Sequence, residues 1–525
     1  MTDRPTASIW QLACRCFNER NHAAAAAACN AILSKQPGDP LASWMLATIH
    51  IEAGKPRLAS KYAMAASRNL AGLAIADVLK VTWALIVTGE SDRARELLLA
   101  IDPGDPACRP GLWGAARQLG LLELHSPALR LLDAIIDPAM RNISVTTLRG
   151  HLLSVVGRPI DAAQAFEESL VEAPASGLAH LMLSRLGLPE GRGQRIDRLR
   201  KLLRNPPSDL DHRAMLHYAM FNELDALDDT DAAWAVLTAG AEARNRLLPY
   251  NAVEETHLFD LMIQTTNDSF LCPENANPVV HQHTSIPIFI VGMPRTGTTV
   301  LERILGNHPD VQPCGELTAF VQQHHWVADR VWNGMFDERA AIEQPLIDTA
   351  LLGKRYLETT AWRTDGKRYF SDKTPGNFMA AALILKALPD ARIIHLHRDP
   401  MDACFSNLKV LFAPDVYPYS YSLTSLANHH RNYTRLMHHW DEIFQGRILH
   451  VAYEDLVAES NAQAARILAY CGLDARDNIT DLTANRASVS TESRSQVREP
   501  IHQRNIGGWR RYARHLAPLE RLLSM

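Results

Sequence analysis

The run GMPRTGTTVLERIL brings together residue types that bind anions. Gly292 and Gly297 have the separation of the two glycines in a phosphate loop, Arg295 lies between them, and Thr299 takes that loop's hydroxyl position. The apolar run Ile286 to Val291 leads straight in, so the order is strand, glycine turn, helix start, as such a loop requires. Backbone N–H groups from Arg295 to Thr299, the Thr298 and Thr299 hydroxyls and the helix dipole can together hold one tetrahedral anion. Pro294, Arg295, Thr296, Gly297, Thr298 and Thr299 are therefore the candidate binding residues. Thr298 stands where a nucleoside triphosphatase carries the lysine that works with magnesium on the β- and γ-phosphates. With its cation moved inside the loop, at Arg295, the sequence implies a ligand with fewer phosphoryl charges and no metal.

Other segments carry matching chemistry. In HLHRDPMDACFSN a strand ends at Arg398 and a helix begins beyond Pro400, with Ser406 about two turns in. A guanidinium donates twice to a phosphate and a hydroxyl completes the shell, although Arg398 could instead pair with Asp399 or Asp402. HPDVQPCGELTAF offers the carboxylate Glu316, and RYFSDKTPGNF offers Lys373 just past a short apolar strand. SRSQVREPIHQRNIGGWRRYARHL adds Ser493, Gln496 and a run of arginines including Arg510 and Arg511.

These motifs, in this order, resemble the sulfotransferases, and above all the bacterial tetratricopeptide-repeat sulfotransferases and the related tyrosylprotein sulfotransferases. The resemblance runs from Ile286 to about Leu522. It implies that PRTGTT binds the 5′-phosphosulfate of 3′-phosphoadenosine 5′-phosphosulfate, a co-substrate, without a metal. It implies that Arg398 and Ser406 hold the 3′-phosphate, that Glu316 is the general base, and that Lys373 contacts the transferring sulfuryl group, with Arg295 also catalytic. Ser493 and Gln496 fall in the family segment that folds back over the donor. The chain departs from that segment at Gly508, where the relatives carry a donor-binding lysine before the tryptophan; Arg510 or Arg511 is the candidate substitute. Cys314 reads as a packed thiol, and YEDL at Tyr453 to Leu456 as structural.

The elements that must position these groups fall into two kinds. The first half is rich in alanine and leucine at helical spacing, in blocks separated by Gly, Pro or Asp. Trp10 and Trp44 sit about 34 residues apart, with turn signals at Asn21 and Gly54. RGHLLSVVGRPIDAAQAFEESLVEAPAS is the clearest unit: Gly150 permits close helix approach, Gly157 turns, Ala162 and Phe166 pack, and Pro174 stops. It resembles a tetratricopeptide repeat, and stacked repeats leave a concave surface. Thr230 or Asp231 is expected to cap a further hairpin. The reading is an all-α tetratricopeptide-like superhelix over 1–265, a polar linker over 266–284, and an α/β sulfotransferase domain with a parallel sheet over 285–525.

Length and composition agree: 525 residues, 47% hydrophobic and 21% charged, are enough for more than one core. A net charge of −4 gives no reason to expect nucleic acid as partner. Eight scattered cysteines without a CxxC pair argue against a disulfide framework, and the paired histidines lack the carboxylate or thiol company of a zinc site. With no signal-like apolar run and no membrane-length segment, a cytoplasmic protein is expected. The leading expectation is sulfuryl transfer to a hydroxyl acceptor, protein tyrosine or another peptide in the repeat groove being one candidate. A non-catalytic scaffold and a P-loop kinase are the alternatives.

Overall fold

A computed structural model describes residues 4–135, 142–267, 270, 285–332, 334, 336–483 and 499–525, with side chains from residue 7. Two compact units result. The first comprises Met1–Met140, Thr318–Trp332 and Leu351–Trp362; the second comprises Arg141–Leu317, Asn333–Ala350 and Arg363–Met525.

In the first unit the helix pairs are Arg4–Asn18 with His22–Lys35, Pro40–Glu52 with Pro56–Ala66, Ile75–Val87 with Ser91–Leu99, and Leu112–Leu121 with His125–Asp133. Small residues let paired helices close up, so Ala13, Ala25, Cys29 and Leu46 share one buried core. Asn21 caps its helix by accepting from the Ala24 N–H at 3.2 Å, and Gly54 turns with φ +63°. Helix Ala319–Ala328 belongs here too. The Nε of Arg57 donates to the Trp326 carbonyl at 3.0 Å, and the Arg355 guanidinium lies 3.8 Å from the Trp326 ring while pairing with Glu90 at 3.0 Å.

The second unit holds the remaining repeat helices together with the sheet. Ile143–Val155 and Pro159–Glu172 form the expected hairpin: a Cβ on Gly150 would lie 2.6 Å from the Phe166 ring, so only glycine allows this approach. The later hairpin is capped one residue before the expected position. Asp229, not Thr230 or Asp231, accepts the Ala232 N–H at 3.3 Å. The compact units thus divide near 140, within the repeats, while the change from helices to strands comes after the helix Ala252–Thr265. Apart from 266, 267 and 270, the expected linker lies outside the described residues down to 284.

Five parallel strands follow: β1 Ile286–Val291, β2 Val311–Pro313, β3 Tyr369–Asp372, β4 Arg392–His397 and β5 Ile448–Ala452, in the order β2-β3-β1-β4-β5. β1 is a continuous apolar run and β4 is buried from Ile393 to Leu396, as expected where helices cover both faces of a parallel sheet. Ile288, Ile290, Leu301, Ile394, Leu396 and Val451 form one such buried layer. From β1 the chain crosses to the edge strand β2, comes back through β3, and then passes to β4 and β5 on the other side of β1, so a crevice opens at the carboxyl ends of β1 and its neighbours. The architecture is two-part, helical repeats followed by a parallel α/β domain.

Candidate active site

Each candidate group sits just beyond the carboxyl end of a strand. Arg295 follows β1, Glu316 follows β2, Lys373 directly follows β3 and Arg398 directly follows β4. Parallel order does the positioning, since it puts all four strand ends on one edge of the sheet.

The loop after β1 is tightly built. Gly292 has φ +150°, and a Cβ there would sit 2.3 Å from the Leu396 carbonyl of β4. Gly297 has φ +98°, and its Cβ would meet the Tyr453 ring at 2.4 Å. Arg295 itself adopts φ +69°, a left-handed conformation that a side-chain-bearing residue keeps only when its surroundings enforce it. Part of that enforcement is visible: the buried Asn407 amide donates to the Pro294 carbonyl at 2.8 Å, and the Thr296 hydroxyl donates to Met293 at 2.9 Å. Thr296 therefore spends its hydroxyl on the turn. Helix Thr298–Gly306 then starts at Gly297 without a side-chain cap, with Thr298 and Thr299 both buried. A helix start of this kind favours an anion.

Arg398 and Arg295 face the same space. A cavity of about 400 Å³ is lined by both, together with Ser406, Lys409, Asn505 and Trp509, and by Tyr218 and Asp225 of the repeat helix Leu210–Asp225. A smaller one of about 40 Å³ lies on the other side, between Arg295, Arg398, Gly297, Thr299, Tyr453 and Pro500. The Arg398 guanidinium lies between the two. It donates to the carbonyls of Arg295, at 3.3 Å, and of Asn505, stands 3.6 Å from Asp402, and crosses the Tyr453 ring at 4.8 Å.

Glu316 and Lys373 line neither cavity and meet each other instead: the Lys373 ammonium donates to the Glu316 carboxylate at 2.6 Å. Lys373 is buried, while the Glu316 side chain is 47% exposed. The segment before Glu316 is clamped from both sides. Gly315 gives its N–H to the Glu302 carboxylate at 2.9 Å and its carbonyl to the Lys373 N–H at 2.9 Å, and Glu302 also accepts the Ser371 hydroxyl at 2.8 Å. Burial pushes the Cys314 thiol up to about 12, as befits a packed side chain.

The C-terminal segment is held by Asp402, which accepts the N–H groups of Gly507 at 2.6 Å and Trp509 at 3.1 Å. Arg510 is exposed, lines neither cavity and lies 5.3 Å over the Trp509 ring, while Arg511 is drawn away by Asp225 and Asp228 at 3.2 and 2.5 Å. Ser493 and Gln496 lie outside the described residues.

Three residues beside the site, Asn407, Glu302 and Lys409, escaped the sequence reading, and Tyr453 was read only as structural. Tyr453 packs against the loop at Gly297 and beneath Arg398; Asn407 fixes Pro294; Glu302 fixes Gly315; Lys409 enters the larger cavity. Tyr453 carried a usable signal, since it is the first residue after β5, at the same sheet edge as the others.

Residues 287–477 match a family model described as the Sulfotransferase family. An uncharacterized protein of Aquifex aeolicus is 28% identical over 390 residues, covering 71% of this chain and 49% of that protein. Protein-tyrosine sulfotransferase 2 of Gallus gallus is 26% identical over 238 residues, covering 42% of this chain and 62% of that protein. The alignments thus span less than two thirds of either relative's length. Among solved structures, the sulfotransferase domain from a Synechococcus olefin synthase is 19% identical, with 44% of this chain and 89% of that chain covered and a TM-score of 0.32.

Proposed function

From the match of residues 287–477 to the Sulfotransferase family model, we propose that the chain transfers a sulfuryl group from 3′-phosphoadenosine 5′-phosphosulfate to a hydroxyl acceptor. The observation that carries the reading is the placement of Arg295, Glu316, Lys373 and Arg398 at the ends of four adjacent parallel strands, around a loop shaped for one anion. The donor's groups suit what is there. Pro294 to Thr299 would hold the 5′-phosphosulfate, and Arg398 with Ser406 the 3′-phosphate; the buried Nε of Arg398 makes no hydrogen bond within the described protein.

Glu316 would take the proton from the acceptor hydroxyl as its oxygen attacks sulfur, an effect worth about 10² to 10⁴ in rate. The bond from sulfur to the bridging phosphate oxygen breaks, and its electron pair remains on the departing 3′,5′-bisphosphate. Arg295 and Lys373 are the cations that would meet this charge, as in other loose in-line transfers. Lys373 already lies on Glu316, so the base and one of these cations are held together. The relatives named for protein tyrosine support a tyrosine hydroxyl as acceptor.

Incubation with sulfur-labelled donor and a cell extract tests the reading, with Glu316→Gln as control. Label transfer by the wild type and its loss in the variant is the expected result. Absence of transfer, or calorimetric preference for ATP with magnesium over 3′,5′-adenosine bisphosphate, would overturn it.

A further inference from the structure

The larger cavity is more cationic than the donor contacts proposed above require. Its wall carries Arg185, Arg295, Arg398 and Lys409 against only two carboxylates, Asp225 and Asp402. Both carboxylates also hold other groups, although Asp402 stands 3.6 Å from Arg398. Asp225 accepts the Tyr512 hydroxyl at 2.8 Å and pairs with Arg511 at 3.2 Å, while Asp402 accepts two backbone N–H groups of the C-terminal segment. Arg185 is occupied as well, donating to the Leu411 carbonyl at 2.6 Å.

Lys409 differs from these. It ends the helix Pro400–Leu408, three residues beyond Ser406, so the two side chains share one helix face. Its stem crosses the Phe405 ring, with the ammonium 4.8 Å from the centroid, and no hydrogen bond from that ammonium is found among the described residues. Burial pushes its pKa down, and Arg295, Arg398 and Arg511 push the same way against Asp225. A partly buried ammonium among like charges favours an anionic partner. Gly508 and Trp509 line the same cavity, so Lys409 shares it with the C-terminal segment.

We infer that Lys409 is a donor-binding residue that recognises the 3′-phosphate beside Arg398 and Ser406, supplying from the helix the cation that Gly508 omits. The inference rests on the donor reading above and adds to it a residue that sets nucleotide specificity. Tyr218, whose hydroxyl donates to the Leu408 carbonyl at 3.0 Å, and Asp225 bring the repeat helix Leu210–Asp225 into the pocket wall, where it fixes the end of the helix that carries Lys409.

The test is calorimetry on the full chain with 3′,5′-adenosine bisphosphate and with adenosine 5′-monophosphate. Lys409→Met keeps the stem over Phe405 and is expected to lose about tenfold or more in bisphosphate affinity, the range of a charged hydrogen bond. Affinity for the monophosphate stays within about twofold, and Lys409→Arg restores most of the bisphosphate binding. Equal losses for both nucleotides, or bisphosphate binding unchanged in Lys409→Met, overturn the role of Lys409 and leave the donor reading standing. Failure of the wild type to prefer the bisphosphate overturns both.

Discussion

The buried ammonium of Lys373 and the half-exposed carboxylate of Glu316 are joined at 2.6 Å, across 57 residues of sequence, by the pairing of β2 with β3. An ion pair with one partner in water contributes little to stability. Lys373→Met is therefore expected to lose about 10² to 10³ in transfer rate, the usual consequence of removing one preorganised donor. Its urea midpoint stays close to that of the wild type. A large loss of stability with an unchanged rate per folded molecule would remove Lys373 from the chemistry.

Gly292 gives a test of the loop's backbone. Its Cβ would strike the Leu396 carbonyl at 2.3 Å, and a main-chain atom in a buried strand cannot swing aside. Gly446 also has positive φ, at +72°, but nothing lies within 4 Å of its Cβ. Gly446→Ala should cost about 1 kcal/mol, the ordinary left-handed penalty, and Gly292→Ala several times more. Equilibrium unfolding of the two variants decides, and equal costs would show that β4 yields.

Tyr453 reads from sequence as a structural strand-end residue, and in the fold it touches both the loop at Gly297 and Arg398. Its ring lies 4.8 Å beneath the Arg398 guanidinium. A stacked cation of this kind is worth about 0.5 to 2 kcal/mol. Tyr453→Phe keeps the ring and should bind 3′,5′-adenosine bisphosphate as the wild type does. Tyr453→Leu should bind it several-fold more weakly by calorimetry; equal weakening by both would point to the hydroxyl instead.

What was legible in the sequence was what is local. The loop from Gly292 to Thr299, the strand before it and the hairpin around Gly150 are each specified within about one element, by residues that admit few alternative conformations. Contacts set by sheet order were not legible. Glu316 meets Lys373 only because β2 pairs with β3, and Tyr453 reaches Gly297 only because β5 lies next to β4. Arg510 and Arg511 show the same limit from the other side. Their charge suits an anion, but the ion pairs of Arg511 with Asp225 and Asp228, far away in sequence, and the place of Arg510 over the Trp509 ring could not be read from the sequence. The cap at Asp229 was missed for a smaller reason, since Asp229, Thr230 and Asp231 are all good caps and geometry alone selects among them.

His125 sets an acid limit on the first unit. It is 4% exposed, and burial lowers its pKa from 6.5 to about 4, with Glu123 3.6 Å away. The folded state therefore resists the proton that the unfolded chain accepts. Its stability is undiminished above pH 6.5 and falls as the pH drops toward 4, by up to about 3 kcal/mol. Thermal melts between pH 7 and 4.5 should show a smaller acid loss in His125→Gln than in the wild type. Parallel pH profiles would place the acid sensitivity in other groups.

Glu302 joins the helix after the Gly292–Thr299 loop to the segment that carries Glu316, the proposed base. It lies on the helix that starts at Thr298, and its carboxylate takes the Gly315 N–H at 2.9 Å and the Ser371 hydroxyl at 2.8 Å, while Ser371 in turn accepts the Cys314 N–H at 3.3 Å. Glu302 is 7% exposed, so its removal leaves these donors without a partner and with little access to water. Each stranded group costs about 1 to 3 kcal/mol. Glu302→Ala should therefore destabilise the protein by about 3 kcal/mol in urea titration. Glu302→Gln keeps one acceptor oxygen and should lose less. The backbone at Gly315 directly precedes Glu316, so a shift there moves the base relative to the loop. In Glu302→Gln the transfer rate should fall more than donor affinity does, and equal reductions in both would limit Glu302 to holding the fold.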